Sequence, residues 1–243
     1  MDVTLPAPKP RACALAFALD VPDLAQAERW IARLAPQVDV FKVGLELFTA
    51  VGPAAVQAVQ AAGKPCFVDL KLHDIPATVA RTVRQLGSLG AHFVTLHASG
   101  GAPMLKAAQA AAAELPHLCL LAVTALTSLD QAALQGIGVA ESPADWAERL
   151  AQLATESGIG GLVCSAHECA ALRALGGPAL QLVVPGIRLA GSAADDQRRS
   201  ASAHMAAAAG ASMLVVGRPI RDSAHPEAVI QALRAEMAQA AAA

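Results

Sequence analysis

The sequence predicts an α/β protein, a single (β/α)8 TIM barrel over residues 1–243 with a short N-terminal extension at 1–11. Eight short apolar runs alternate with longer Ala- and Leu-rich runs of helical period, and Gly, Pro or Asp marks each change. No linker rich in Pro, Gly or Ser divides the chain. Eight strand–helix units of this length fit one barrel, and a doubly wound open sheet is the structural alternative.

The predicted elements follow one another in strict alternation along the chain. The strands are expected at 13–21, 38–44, 65–72, 92–98, 118–126, 161–166, 180–187 and 212–220. The helices are expected at 23–35, 45–62, 76–87, 101–114, 143–157, 167–175, 198–209 and 225–241. Each helix is long enough to cross back over a parallel sheet.

The composition excludes several functional classes. Hydrophobic residues make up 55% of the chain and the formal net charge is −2, which disfavours a nucleic-acid surface. The start of the chain does not resemble a signal peptide, and no apolar stretch is long enough for a bilayer, so we expect no membrane partner and a cytoplasmic location. The five cysteines have no CxxC spacing and are expected to be buried, reduced thiols.

Charged residues stand near the C-terminal ends of several predicted strands, where buried parallel strands are otherwise apolar. They are Asp20, Lys42, Asp69, Lys71, His97, Arg188 and Arg218. In a barrel these ends meet at one rim, which is where barrel enzymes place their chemistry. The sequence therefore predicts an active site at this rim.

The stretch FVDLKLHDIPATVA, residues 67–80, carries the densest group of charges. Side chains alternate across a strand, so Asp69 and Lys71 are expected to face the barrel axis, with Asp74 in the following loop. Because isolated buried charges are costly, we expect these three and Lys42 to form one network. An ammonium held against carboxylates can stabilise and protonate a carbanion, which suits decarboxylation. A purely structural salt-bridge cluster is the alternative.

The last two strands carry a predicted phosphate site. VVPGIR at 183–188 and VVGRPI at 215–220 lie where barrels commonly bind phosphate, after strands 7 and 8. Gly217 permits a close approach of backbone N–H groups to an anion, and Arg218 can bind it through its guanidinium. The polar segment after Arg188, which contains Gly191 and Gln197, resembles a flap, although it could also be a solvated loop.

Several motifs together resemble the orotidine 5'-phosphate decarboxylase family. DLKLHDIPATV matches its Asp-x-Lys-x-x-Asp-Ile-Pro-x-Thr pattern, and the ordered set continues through ALDVPD, FKVGLELF, LHASGG, VTALTS, PGIRLAG and VVGRPI. The resemblance covers nearly the whole chain. It implies a dimeric barrel that forms UMP from orotidine 5'-phosphate, without a cofactor or catalytic metal, in pyrimidine synthesis.

The resemblance also assigns roles at the reacting end of the substrate. It implies that Lys71 donates a proton to C6 of the pyrimidine and that Asp69 lies beside the substrate carboxylate. Asp20 and Lys42 would hold the ribose hydroxyls and orient the network. His73 and His97 are expected to have supporting rather than catalytic roles.

The remaining assignments concern the dimer, the base and the phosphate. The family's active sites span the interface, so Asp74 and Thr78 would complete the site of the partner subunit. Thr127 and Ser128 would meet the pyrimidine or ribose, although either could simply cap its loop. The residues expected at the 5'-phosphate are Pro185, Arg188, Gln197, Gly217 and Arg218.

One departure and two alternative functions accompany the resemblance. Ala77 stands where close relatives commonly have Asn, which puts one loop contact in doubt. A magnesium-dependent sugar-phosphate decarboxylase or aldolase of the same superfamily would be expected to carry a carboxylate in place of Lys42. A catalytically silent nucleotide-binding barrel would keep the shape and lose turnover. We find no GxGxxG after a strand, no P-loop and no HExxH motif.

Overall fold

The computed structural model describes residues 13–188 and 201–241, so the predicted extension at 1–11 lies outside the described residues. Eight parallel strands close a barrel in chain order, with β1 paired to both β2 and β8. The strands are β1 Ala14–Ala18, β2 Val40–Gly44, β3 Cys66–Leu72, β4 Phe93–His97, β5 Cys119–Val123, β6 Gly161–Val163, β7 Gln181–Val184 and β8 Met213–Val216. The barrel prediction is confirmed, and closure excludes the open sheet.

Helices surround this barrel and return the chain between successive strands. They are α1 Leu24–Leu34, α2 Leu45–Val51, α3 Ala54–Ala61, α4 Pro76–Ser88, α5 Ala102–Ala112, α6 Gln131–Gly136, α7 Pro143–Glu156, α8 Ala166–Gly176, α9 Ala203–Ala208, α10 Arg218–Arg221 and α11 Pro226–Ala241. Hydroxyl and carboxylate side chains cap several N-termini. Asp23 accepts from Gln26 N at 2.8 Å, for example, and satisfies an N–H group that the helix leaves unpaired.

The strands bury both faces, which explains their continuous apolar sequences. One face packs inside the barrel, where Phe67 and Phe93 meet edge to face at 6.1 Å between ring centroids. The other face packs under the helices, where Phe17 contacts Phe41 and Trp30. Side chains therefore fill the barrel axis, and the functional space lies above this filling, at one end.

Two predicted elements differ clearly from the observed ones. The helix expected at 45–62 is two helices, because Gly52 adopts φ +59° and Pro53, which follows it, cannot donate a backbone hydrogen bond. The strand expected at 212–220 ends at Val216. Arg218 instead opens α10, since Pro219 suits the first turn of a helix.

The remaining differences are smaller. The helix α6 follows β5 and was not predicted, because six residues are too few to show a helical period. The helix expected at 198–209 begins partly outside the described residues, and α9 occupies Ala203–Ala208. All five cysteines are free thiols, and Cys66, Cys164 and Cys169 are buried. Burial raises the pKa of the Cys66 thiol to about 12.

Candidate active site

A cavity of about 280 Å³ opens at the C-terminal ends of the strands. Its charged wall is formed by Asp20, which follows β1, Lys42 on β2, and Asp69 and Lys71 on β3. A second wall follows β7 and β8, and includes Pro185, Gly186, Arg188, Gly217 and Arg218. The floor is apolar and includes Phe67, Val183 and Val215 from the inside of the barrel. The cavity thus combines acid–base groups from the first three strands with two arginines that follow the last two.

Four charged side chains form a continuous chain along one wall. Lys42 Nζ lies 3.1 Å from Asp20 Oδ1 and 3.6 Å from Asp69 Oδ2. Lys71 Nζ lies 2.8 Å from Asp69 Oδ1. Carboxylates and ammoniums therefore alternate from Asp20 to Lys71, and each ammonium partly offsets the cost of removing its neighbours from water.

Asp69 is the most constrained member of this chain of charges. Its side chain is only 14% exposed. Burial by itself would raise the pKa of Asp69, but Lys42, Lys71 and hydrogen bonds from Lys71 and Thr95 outweigh it and leave this pKa below its ordinary value. The carboxylate is therefore ionised at neutral pH, and it holds the Lys71 ammonium at the edge of the cavity.

Gly44 makes room for the contact between Lys42 and Asp20. It ends β2 two residues after Lys42, and a Cβ atom at this position would lie 2.8 Å from Lys42 Nζ and 3.0 Å from Asp20 Oδ1. Any side chain at Gly44 would displace one of the two charged groups. The FKVG segment thus combines the lysine with the space that it needs.

Lys71 reaches the cavity from an irregular strand. Val68 pairs with Val94 and Leu72 pairs with Leu96, so β3 bulges where β4 continues regularly. Lys71 adopts φ +52°. Within the part of the chain that the structure describes, it is the one non-glycine residue with a positive φ. The prediction that Asp69 and Lys71 face the same cavity is correct, but this distortion, and not simple alternation, sets the direction of Lys71.

The prediction that Asp74 joins the charged network of its own chain is wrong. Its Oδ1 accepts a hydrogen bond from Ile75 N at 2.6 Å, in the turn before α4, and Asp20 occupies the fourth place in the network. Asp74 and Thr78 instead line a second cavity of about 330 Å³, which Lys71 also lines. A loop residue can turn away from a strand end, and the spacing in the sequence does not reveal which way it turns.

Two histidines pair close to Lys71, and one of them, His73, lines the second cavity. The rings of His73 and His97 lie 5.4 Å apart at an angle of 39°. Burial lowers the pKa of His97, and His73 and Lys71 lower it further, while Asp69 opposes them. The neutral imidazole therefore predominates at His97 at pH 7.

The predicted phosphate residues that the structure describes all line the wall that follows β7 and β8. Pro185 and Arg188 follow β7, and the backbone N–H of Arg188 donates to Ala201 O at 3.0 Å, which ties this end to the segment before α9. Gly217 and Arg218 begin α10. Gln197 and Gly191 lie outside the described residues.

The turn after β5 separates two residues that the sequence placed together. Thr127 lines the main cavity, whereas Ser128 is exposed and lies outside the lining. Sequence reasoning missed Thr95 and Arg221. Thr95 lies on β4 opposite the bulge, and Arg221 Nη1 donates to the backbone oxygen of Asp20 at 2.8 Å. Threonine is common in β-strands, so nothing in the sequence marks Thr95 as a residue of the site.

The described residues contain neither a cluster of metal ligands nor a membrane-spanning helix. Across 13–188 and 201–241, no three His, Cys, Asp or Glu side chains are grouped in a way that could hold a metal ion. No helix within these same ranges has the length and apolar character needed to span a bilayer.

Fold and site together define a (β/α)8-barrel protein with an alternating Asp/Lys site at the C-terminal rim of its strands. The sequence profile of the orotidine 5'-phosphate decarboxylase / HUMPS family matches residues 14–233. The chain belongs to this family.

Curated relatives and a solved structure agree with this placement. The chain is 52% identical to an orotidine 5'-phosphate decarboxylase of Anaeromyxobacter sp. strain K, over 94% of this chain and 98% of the relative. It is 50% identical to that of Thermobifida fusca, over 93% and 96%. The crystal structure of the Lactobacillus acidophilus orotidine 5'-phosphate decarboxylase matches with a TM-score of 0.80 and 34% identity, over 93% of this chain and 99% of that one.

Proposed function

We propose that this protein is a carboxy-lyase that converts orotidine 5'-phosphate to UMP and CO2 without a cofactor, in pyrimidine biosynthesis. The observation that carries the proposal is the Asp20–Lys42–Asp69–Lys71 chain on the wall of a cavity whose other wall bears two arginines. The relatives that carry the name of this activity are 52% and 50% identical in sequence to this chain over nearly its full length. Family and local chemistry therefore support one reaction.

Lys71 is the proposed proton donor. When the C6–CO2 bond of the substrate breaks, CO2 leaves and the bonding electron pair stays on C6. The Lys71 ammonium stabilises that charge and transfers one proton to C6, which gives UMP and a neutral amine that takes up a proton from water. Asp69, at 2.8 Å, keeps Lys71 charged and directed at the cavity before the bond breaks.

Lys42 distinguishes this site from one that binds magnesium. Its ammonium lies between the Asp20 and Asp69 carboxylates, where a divalent cation would otherwise bind them, and it is only 8% exposed. A cation fixed at this point repels a second one. The proposed role of Asp20 and Lys42 is to hold the ribose hydroxyls of the substrate.

The wall that follows β7 and β8 is the proposed phosphate site. Arg188 and Arg218 both line the cavity after β7 and β8, and guanidinium groups can bind phosphate through paired hydrogen bonds. Pro185 and Gly217 shape the backbone there, and Gln197 is proposed to contribute from the segment between the described residues. Binding energy from the phosphate would help to order the reacting end. Thr127 is proposed to contact the base or ribose, with Ser128 as its neighbour in the turn.

A homodimer with shared sites is the proposed assembly, and the cytoplasm is the proposed location. Asp74 and Thr78 line the second cavity and not the main one. Ile75, next to Asp74, is 66% exposed, which is unusual for an isoleucine. A second copy packed on this face would bury Ile75 and receive Asp74 and Thr78 beside its own Lys71.

The direct test is the ultraviolet absorbance change on mixing the purified protein with orotidine 5'-phosphate in excess chelator. We expect full conversion to UMP, with an unchanged rate when magnesium is restored. Activity only with added magnesium would contradict the proposal and favour a metal-dependent sugar-phosphate enzyme. No turnover, despite binding of UMP, would indicate a silent nucleotide-binding barrel.

A further inference from the structure

Thr95 connects Asp69 and Lys71, two neighbouring members of the charged wall. It lies in the middle of β4 and is 0% exposed. Its Oγ1 accepts a hydrogen bond from Lys71 N at 2.9 Å and donates one to Asp69 Oδ1 at 2.9 Å. A single buried hydroxyl therefore donates a hydrogen bond to Asp69 and accepts one from Lys71.

The backbone contact compensates for the bulge in β3. Between the pairs Val68–Val94 and Leu72–Leu96, three residues of β3 oppose Thr95 alone. The regular ladder cannot serve every backbone group of such an insertion. The Thr95 hydroxyl takes the place of the missing carbonyl for Lys71 N–H, at a residue whose φ of +52° is costly for a side chain other than glycine.

The side-chain contact fixes the orientation of the Asp69 carboxylate. Oδ1 of Asp69 receives both the Thr95 hydroxyl and the Lys71 ammonium, while Oδ2 faces Lys42 at 3.6 Å. With two donors on one oxygen, the carboxylate plane has little freedom to rotate. The Thr95 hydrogen bond also contributes to the lowered pKa of Asp69.

We infer that Thr95 is a positioning residue for the proposed reaction, which holds Lys71 through its backbone and Asp69 through its carboxylate. Thr95 itself is not among the residues that line the cavity. A buried β-branched residue that only fills space would be served equally well by valine. The inference rests on the proposed function, because its effect is measured as turnover.

The test compares Thr95→Val, which keeps the shape and removes the hydroxyl, with Thr95→Ser, which keeps the hydroxyl. Thr124→Val is the matched control, since Thr124 is also a buried threonine at a neighbouring strand end. Its hydroxyl donates only to Val163 O, at 3.0 Å, and it lies outside the cavity lining. Steady-state kinetics and thermal unfolding are measured for all three variants and the wild type.

We expect Thr95→Val to lower kcat about 100-fold with a KM within about threefold of wild type, because the reacting groups lose their alignment while the binding wall is intact. Thr95→Ser should recover kcat to within about fivefold. Thr124→Val should keep the wild-type kcat even if its Tm falls. The acid limb of the kcat/KM profile should move to higher pH in Thr95→Val, since Asp69 loses a donor.

Three results would overturn the inference: a kcat for Thr95→Val within about threefold of wild type, a kcat loss no larger than that of Thr124→Val, or no recovery in Thr95→Ser. If Thr95→Val does not fold, Thr95→Ala is judged by the same criteria. A wild-type protein without decarboxylase activity would remove the proposed function and this inference together. An active wild type with an unaffected Thr95→Val would remove the inference alone.

Discussion

Asp69 is the residue on which the charged wall depends. One oxygen of its carboxylate accepts hydrogen bonds from Lys71 and Thr95, and the other faces the Lys42 ammonium. Side chains from β2, β3 and β4 therefore meet at one carboxylate. The two ammoniums and the two carboxylates of the wall sum to no net charge, which lowers the cost of placing them at a cavity. Removal of any one member would leave a neighbour uncompensated.

His97 should make the stability of the protein depend on pH. Because its pKa is depressed, the unfolded chain takes up the proton at a higher pH than the folded protein. The free energy of unfolding should therefore fall as the pH drops below the ordinary histidine value of 6.5 toward about 5. His97→Gln should flatten this slope, as measured by denaturant unfolding across that range at a fixed protein concentration.

The exposed His204 on α9 offers the control for this measurement. His204→Gln should keep the wild-type slope, because this side chain lies away from Lys71, Asp69 and His73, the groups that face His97. An unchanged slope in His97→Gln would contradict the assignment. An identical flattening in both variants would do so as well.

Some residues of the charged wall can be predicted from the sequence, and others cannot. Lys42, Asp69 and Lys71 could be identified because charges inside apolar strands are rare and a barrel brings strand ends together. The direction of Asp74 could not, since it lies in a turn beyond the strand and pairs with its own backbone. Thr95 could not either, because its partners become visible only through the bulge in β3.

At the scale of elements, the end of the barrel opposite the cavity is held by contacts of a different kind. Arg173, in the last turn of α8, donates to Gly177 O at 2.7 Å, Leu180 O at 2.6 Å and Gly210 O at 2.7 Å. These carbonyls lie in the connections that lead into β7 and β8. One guanidinium thus fixes the starts of the two strands whose other ends carry the proposed phosphate site.

Arg173→Met should destabilise the fold by about 2–4 kcal/mol, because it leaves several partly buried carbonyls without a donor. Denaturant unfolding followed by circular dichroism measures this loss. Arg84→Met is the control, since Arg84 pairs with Glu114 on the surface and should cost less than about 1 kcal/mol. Equal losses in the two variants would refute the role given to Arg173.

Long, regular elements are the ones that the sequence predicts well. Buried parallel strands and long amphipathic helices have clear periods, and all eight strands were located. Short elements carry no such period, so α6 and α10 were not foreseen. The break in the helix predicted at 45–62 was visible in the sequence as Gly52–Pro53, and the helical period on both sides obscured it.

At the scale of the whole molecule, the chain is expected to need a second copy to complete its site. Mixing Lys71→Ala subunits with Asp74→Ala subunits should restore activity, since a hybrid dimer holds one site free of both changes. At equal mixing, half of the dimers are hybrids, so recovery should approach about a quarter of the wild-type rate. Absorbance assays before and after subunit exchange measure it.

The control for this experiment is each variant alone at the same total concentration, which should stay almost inactive. Subunit exchange is verified separately with a mass-tagged copy. Absence of recovery despite verified exchange would contradict a shared site. It would leave Asp74 with the role that its own backbone contact suggests, a cap for the turn before α4.

Proton donation by Lys71 is the central claim, and the rate of UMP formation by Lys71→Ala tests it most directly. Lys106→Ala is the matched control, because Lys106 is exposed on α5. We expect Lys71→Ala to lose at least about 1,000-fold in kcat while keeping the wild-type circular dichroism spectrum, and Lys106→Ala to be unaffected. A Lys71→Ala variant that retains more than about a tenth of the wild-type kcat would contradict the account.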